Sequence, residues 1–211
     1  FTYGQPGDIP LVGDWNGDGI DTPGVVRDGQ ILLRDSNTSG PADTSFTYGD
    51  PGDAVVTGDW NGDGVDTVGV VRGTQVFLRN SNTSGPADVS FTYGDAGDRL
   101  VFGKWQSGEA DTVGVVRGAV FLLRNSNTSG PADMSFTYGD PGDAVVIGDW
   151  NGDGVDTPAV RRGASFFVRN SNTSGTADTG FVYGDPNDAF ALVGHWSSST
   201  KASVQGPGIA R

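Results

Sequence analysis

The residues best placed to do chemistry are the acids of a nine-residue stretch, Asp59-Trp60-Asn61-Gly62-Asp63-Gly64-Val65-Asp66-Thr67. It recurs from Asp14 to Thr22 and from Asp149 to Thr157. An altered copy runs from Lys104 to Thr112, and a remnant begins at His195-Trp196. Oxygen-bearing side chains stand at positions 1, 3, 5 and 8 of the stretch, with Gly at 4 and 6. A hard cation such as Ca²⁺ takes about six to eight oxygen ligands, and an alternating loop turns several of them inward. Wrapping a loop round an ion also demands backbone conformations that a Cβ penalises. The same residue types build metal-free turns between strands, so the stretch has two readings, an ion loop and a plain turn.

The elements that must position these loops repeat with them. Phe-Thr-Tyr-Gly begins at Phe1, Phe46, Phe91 and Phe136, and Phe-Val-Tyr-Gly at Phe181, a period of 45 residues. The chain is therefore one domain of units 1–45, 46–90, 91–135 and 136–180 and a partial unit 181–211. Each unit reads as four short strands, in the second unit Ala54–Thr57, Val68–Arg72, Gln75–Arg79 and Val89–Tyr93. The acidic loop joins the first strand to the second. A polar link, Asn80 to Asp88, joins the third to the fourth. Runs such as Val76-Phe77-Leu78 and Phe166-Phe167-Val168 are apolar on both faces, which a sheet with one wet face would not be. Four-stranded sheets packed on both sides at this period indicate an all-β propeller.

Four full units and a partial one predict a five-bladed β-propeller of four-stranded antiparallel blades. Its ring would be closed by adding Phe1-Thr2-Tyr3-Gly4 to the C-terminal partial blade as an outer strand. The segment Gly206 to Arg211 is short and rich in strand breakers. Four blades plus a tail is accordingly the alternative.

Composition bounds the function. The net charge of −13 argues against a nucleic-acid partner, since binding phosphates requires a cationic surface. No run of eighteen apolar residues predicts a membrane-inserted helix. The sequence opens without Met or a charged-then-apolar leader, so a fragment or mature form is expected. With no cysteine there is neither a disulfide nor a thiolate site, which is compatible with an extracellular bacterial protein. Paired acids raise the thought of a glycosidase. Here, however, they lie inside one loop per unit, and no Ser or Cys nucleophile pattern accompanies His195. No enzyme activity is expected.

The stretch Asp-Trp-Asn-Gly-Asp-Gly-Val-Asp-Thr, followed by Val-Gly-Val-Val-Arg, resembles the FG-GAP/VCBS-type repeats of integrin-like β-propellers. It is more similar still to actinobacterial secreted repeat proteins with "DWNGDG-D-T" and "RNSNTSGPAD" segments. The resemblance covers essentially the whole chain. It implies a Ca²⁺ loop between the first and second strands of a blade, and hence up to three Ca²⁺ sites. The implied ligands are Asp14, Asn16, Asp18, the Ile20 carbonyl and Asp21; Asp59, Asn61, Asp63, the Val65 carbonyl and Asp66; and Asp149, Asn151, Asp153, the Val155 carbonyl and Asp156. One departure matters. The family loop ends in a carboxylate at position 9, whereas this chain has Thr at 9 and Asp at 8. Asp111 persists in the copy that lost the acids at 1 and 5, which favours a structural role at position 8.

The resemblance implies a Ca²⁺-stabilised extracellular binding or display module, with a protein or glycan as partner. A monomer is expected, with a strand-swapped oligomer as the alternative. Two other readings remain. Trp15, Trp60, Trp105, Trp150 and Trp196 could be sugar-stacking platforms of a multivalent lectin-like propeller, although blade packing is the simpler reading of them. The near-identical units could also be a ligand-free scaffold, recently amplified or engineered. The two Arg series, at 27/72/117/162 and 34/79/124/169, are expected to pair with repeated Asp residues such as Asp53 and Asp98. Asn37, Asn82, Asn127 and Asn172 head Asn-Thr-Ser sequons but read as loop caps.

Overall fold

Val, Phe and Leu in short runs, punctuated by Gly-containing turns, fold each unit of the computed structural model into a four-stranded antiparallel meander. The structure describes residues 1–108, 110–188 and 191–196. Blade 1 holds β1 (Ile9–Gly13), β2 (Thr22–Arg27), β3 (Gln30–Leu33) and β4 (Thr44–Thr47). Blade 2 holds β5 (Ala54–Gly58), β6 (Thr67–Arg72), β7 (Gln75–Leu78) and β8 (Val89–Thr92). Blade 3 holds β9 (Arg99–Gly103), β10 (Thr112–Arg117), β11 (Val120–Leu123) and β12 (Met134–Thr137). Blade 4 holds β13 (Ala144–Gly148), β14 (Thr157–Arg162), β15 (Ser165–Val168) and β16 (Thr179–Val182). The strand bounds lie within a residue of those read from the sequence. First strands of successive blades touch, β1 to β5, β5 to β9 and β9 to β13, so they line the axis of a β-propeller.

The core lies between blades rather than within one. Leu11, Trp15, Ile31, Leu33 and Phe46 of blade 1 pack on Val68 and Val70 of blade 2. Trp60, Val76, Leu78 and Phe91 pack on Val113 and Val115. Trp105, Phe121 and Phe136 pack on Val145 and Val160. Trp150 and Val168 are covered by Phe181 and by Val193 of the partial unit. This explains why the middle strands are apolar on both faces. The indoles of Trp15, Trp60, Trp105 and Trp150 are only 3 to 7% exposed. They are packing residues, and a repeated ring of open sugar platforms is not formed by them.

Each Arg of the first series clamps the turn before its blade. Arg72 Nε and Nη2 donate to the two oxygens of Asp53, each at 2.8 Å. Arg27 with Asp8, Arg117 with Asp98 and Arg162 with Asp143 repeat the pair. Such forked contacts fix geometry as well as charge. The second series folds the polar link. Arg79 donates to the carbonyls of Thr83 and Pro86, and its Nη1 lies 3.8 Å from Asp88. Gly85 takes a φ of 153°, which L side chains rarely adopt, and its bare Cα lets the Arg79 guanidinium lie close against it.

The five-bladed expectation meets four complete blades among the described residues. Residues 189–190 and 197–211, which include most of the partial unit and the segment Gly206 to Arg211, lie outside them. Nor is Phe1-Thr2-Tyr3-Gly4 a strand here. Phe1 is 70% exposed, while Phe46, Phe91 and Phe136 are buried opposite Ile31, Val76 and Phe121 of their own third strands. The physical reason is that no described strand stands beside Phe1. The segment is nonetheless docked. The Thr2 amide donates to Ser39 Oγ at 2.9 Å, as Thr47, Thr92 and Thr137 donate to Ser84, Ser129 and Ser174 of the following blade.

The turn of the partial unit is held from blade 4. Asp188 is followed by Pro207 at the 19-residue spacing that separates Asp143 from Arg162, and Gly208 stands in register with Arg162 when Trp196 is matched to Trp150. Arg161 of blade 4, where the other blades carry Val, holds the turn. It donates to the carbonyls of Asp185 and Asp188 at 3.2 and 2.9 Å, and it is 9% exposed. Replacing Arg161→Val is expected to destabilise the chain by about 1 to 3 kcal/mol, the worth of hydrogen bonds from a charged group. Hydrogen exchange should show protection lost at residues 185–188 while the β10 and β11 amides are unchanged. Unaltered protection of that turn would contradict the clamp.

Candidate functional site

The three intact loops share one conformation, dictated by where Gly and Asp stand. Gly62 and Gly64 have φ of 76° and 83°, the left-handed region that only Gly enters freely. That curvature aims backbone N–H groups inward, and the Asp at position 1 receives them. Asp59 Oδ1 accepts from Gly62 and Asp63, and Oδ2 accepts from Gly64, at 2.8 to 3.1 Å. Asp63 Oδ1 accepts from the Val65 amide at 3.0 Å, and Asn61 Nδ2 donates to Asp63 Oδ2 at 2.9 Å. The loops of Asp14 and Asp149 repeat these bonds.

The acid at position 1 thus caps its own loop, while the Asn at position 3 and the acid at position 5 are held together on the same loop. The position-1 Oδ1 spends both lone pairs on loop amides, whereas its Oδ2 and both oxygens of the position-5 acid each accept one bond and keep a lone pair. The donor set of two carboxylates and an amide oxygen suits a hard cation. It holds two acids per loop, not three, and among the described residues no group of three or more His, Cys, Asp or Glu side chains is gathered at one metal-sized point.

The third acid goes elsewhere. Asp66 turns out of its loop to blade 1, where its Oδ2 accepts the Asp14 amide at 2.8 Å and its own amide donates to the Asp14 carbonyl at 2.7 Å. Asp111 makes the same pair with Asp59, at 2.9 and 2.7 Å, and Asp156 with Lys104, also at 2.9 and 2.7 Å. Asp21 makes it with His195 of the partial unit, its amide donating to the His195 carbonyl at 2.7 Å while its carboxylate accepts the His195 amide. This two-bond latch joins each loop to the next blade and uses only the backbone of position 1. Lys104 and His195 can therefore stand where the other copies have Asp. Gly before position 1 makes room for the latch: a Cβ on Gly13, Gly58 or Gly194 would lie 2.7 to 2.8 Å from the latching carboxylate. Position 9 is not a ligand either, since Thr22, Thr67, Thr112 and Thr157 are buried at their strand starts.

The sequon Asn residues complete the latch. Asn37, Asn82, Asn127 and Asn172 each donate Nδ2 to the carbonyl of the latching Asp of their own blade, at 2.8 to 3.0 Å. Sequence reasoning left these contacts unseen. The signals that could have found them are the Gly retained before every loop and the persistence of Asp111.

Burial of the four latching carboxylates raises their pKa values. Asp66 is pushed up to about 8, Asp156 to about 7 and Asp21 to about 6. Desolvation is the largest cause in each, and the carboxylates also repel one another across the axis. Asp111 is raised by the same desolvation and lowered by Lys104. The Lys104 ammonium thus acts on Asp111 and Asp156; Glu109, its other expected neighbour, lies outside the described residues.

No protein-family model matches the chain, and no curated protein matches it. Among solved structures it is similar to a chain in the crystal structure of BBS1N in complex with ARL6DN, at 12% identity and a TM-score of 0.47. That match covers 83% of this chain, which spans 57% of the other.

The latch sets a pH dependence. Between about pH 4 and 8 the native chain retains protons on Asp66, Asp156 and Asp21 that the unfolded chain has released. Stability therefore falls as pH rises through that window. The clamp acids Asp53, Asp98 and Asp143 are lowered by their Arg partners, and their contribution is lost only below the ordinary carboxylate range. The melting temperature is expected to rise by roughly 4 to 8 °C from about pH 8 to about pH 5. Asp66→Asn should reduce that rise, leaving the part due to Asp156 and Asp21, without lowering stability at the upper pH. A melt independent of pH in this range would rule out the buried acids as its cause.

Proposed function

We propose that this chain is a Ca²⁺-stabilised β-propeller of FG-GAP/VCBS type, acting outside the cell as a binding or display module rather than as a catalyst. The observation that carries the proposal is the one loop conformation shared by the stretches beginning at Asp14, Asp59 and Asp149, in which the acid at position 1 gathers the loop amides and the Asn at position 3 lies against the acid at position 5. The use of the remaining acids supports a scaffold. Asp53, Asp98 and Asp143 hold Arg clamps, and Asp21, Asp66, Asp111 and Asp156 hold blades together. Three bound Ca²⁺ would also offset part of the −13 charge. A protein or glycan is the partner class.

The ion is tested by melts in chelator and in Ca²⁺. Extracellular sites have dissociation constants of about 10⁻⁴ M, so about 1 mM ion stabilises by about 1.4 kcal/mol per site. Three sites raise the melting temperature by about 10 °C. The combined variant Asp18→Ala, Asp63→Ala and Asp153→Ala should abolish the rise. Position 5 is chosen because position 1 also caps the loop. Superimposed melts of the parent chain would overturn the metal reading.

We further propose that the chain is closed where its last unit meets its first, with Phe1 to Gly4 docked on blade 1 at that junction. The Asp21–His195 latch and the Thr2–Ser39 bond support this, since each repeats a junction made elsewhere between consecutive blades. Deleting residues 1–4 should lower the melting temperature and populate strand-swapped oligomers in size-exclusion chromatography. A truncated chain that stays monomeric with an unchanged melt would refute this closure.

A further inference from the structure

Positions 3 and 4 of the three intact loops are Asn16-Gly17, Asn61-Gly62 and Asn151-Gly152. This pair is the one most open to self-modification, because Gly has no Cβ to keep its nitrogen away from the preceding side-chain amide. The Gly cannot be exchanged without strain. Gly17, Gly62 and Gly152 take φ of 75°, 76° and 78°, so the turn that gathers the loop amides also demands the vulnerable neighbour. The three Asn residues are exposed to water.

Both reacting groups are nonetheless restrained, in the same way each time. The nucleophile is the Gly nitrogen, and its N–H donates to Oδ1 of the acid at position 1. Gly17 donates to Asp14 at 2.7 Å, Gly62 to Asp59 at 2.8 Å and Gly152 to Asp149 at 2.8 Å. The electrophile is the Asn side-chain carbonyl, held on the acid at position 5 by two bonds. Asn61 Nδ2 donates to Asp63 Oδ2 at 2.9 Å, and its Oδ1 accepts the Asp63 amide at 3.3 Å. Asn16 with Asp18 and Asn151 with Asp153 repeat the pair.

We propose that Asn16, Asn61 and Asn151 are deamidation sites gated by the acid at position 1 of their loops. The Gly nitrogen gives its proton to solvent base and forms a bond to the Asn Cγ. The Cγ–Nδ2 bond breaks, and that nitrogen leaves as ammonia. Water then opens the cyclic imide at one of its two carbonyls, leaving Asp or isoaspartate. Asn and water give acid and ammonia, with no other reactant. The position-1 carboxylate opposes the first step twice. It holds the proton that must leave, and its charge disfavours the anionic nitrogen. Breaking a hydrogen bond to a charged acceptor slows the step by roughly 10- to 100-fold. The products differ in what they do to the loop. Asp at position 3 adds a carboxylate, whereas isoaspartate lengthens the main chain by a carbon and takes the cap out of register. The third blade carries Gln106-Ser107 at these positions. That pair would have to close a larger ring against a residue with a side chain, and it stays outside the reaction.

The full chain is incubated in chelator and mildly alkaline buffer, folded and in urea, and peptide mapping follows Asp and isoaspartate at each Asn. In urea the three Asn-Gly pairs are expected to convert first. In the folded chain they should convert at least about tenfold more slowly. Asp59→Ala should restore fast conversion at Asn61 alone, with Asn16 and Asn151 of the same molecule still slow. The latch of Asp111 uses only the backbone of Asp59, so this variant keeps its blade junction. Asp59→Asn keeps an acceptor at Oδ1 and should retain part of the protection. Equal rates in the folded chain and in urea would overturn the proposal, as would an Asp59→Ala chain in which Asn61 stays as slow as Asn16. Protection lost at all three sites in both variants would overturn it too, since the whole fold and not the position-1 acid would then be its source. The rates are read in chelator, so melts indifferent to Ca²⁺ would remove the metal reading and leave this one standing.

Discussion

The structure depends on one repeated contact, the carboxylate of a second-strand Asp held by the backbone of the preceding blade's loop. Hydrophobic packing between blades supplies the bulk of the stabilising area, but it is not directional. The latch fixes the angular register in which those apolar faces meet. It does so with two short bonds at each described junction, and it requires Gly beside it because the carboxylate lies against the backbone. The contact also carries a cost. Four carboxylates brought round one axis with little water repel each other and tend to keep their protons. A protonated Asp still accepts the amide bond through its carbonyl oxygen, so the latch survives the neutralisation that burial imposes.

Much of this was legible in the sequence, because the units act as internal controls. The 45-residue period, the β class and the strand bounds followed from runs such as Val76-Phe77-Leu78 and from the turns between them. The Arg–Asp clamps were foreseeable from two series of opposite charge at constant spacing. The role of Asp66 and its siblings was harder to read. An Asp one residue from a Thr, at the end of an oxygen-rich loop, looks like a ligand to any reasoning confined to that loop. Its partner is 52 residues away in sequence. Only the three-dimensional stacking of blades brings Asp66 to Asp14. The Asn-Thr-Ser segments hid their function for the same reason, since Asn82 reaches back to the Asp66 carbonyl across two strands.

The exceptions to the repeat are as informative as the repeat. Arg161 stands where its counterparts are Val, and its guanidinium holds the turn at residues 185–188 of the partial unit. Lys104 stands where its counterparts are Asp, and its charge falls on two of the buried acids. Phe1 and Tyr183 are exposed where their counterparts are buried, one at each end of the described ring. These departures cluster at the third loop and at the junction between the last unit and the first, the two places where the symmetry of the chain is broken.

Because the latch binds the main chain of position 1, the side chain there is uncoupled from assembly. A mutation at that position can change what the loop holds without changing how the blades are joined. Each blade is thus a separately editable compartment on a common frame, and Lys104 is a record of one such edit. The same indifference applies to whole units. A tandem duplication or loss of 45 residues would present identical latch chemistry at its new boundary. Drift in loop chemistry and drift in blade number are therefore tolerated by the same two hydrogen bonds, and only the geometry of closing the circle limits how far copy number can wander.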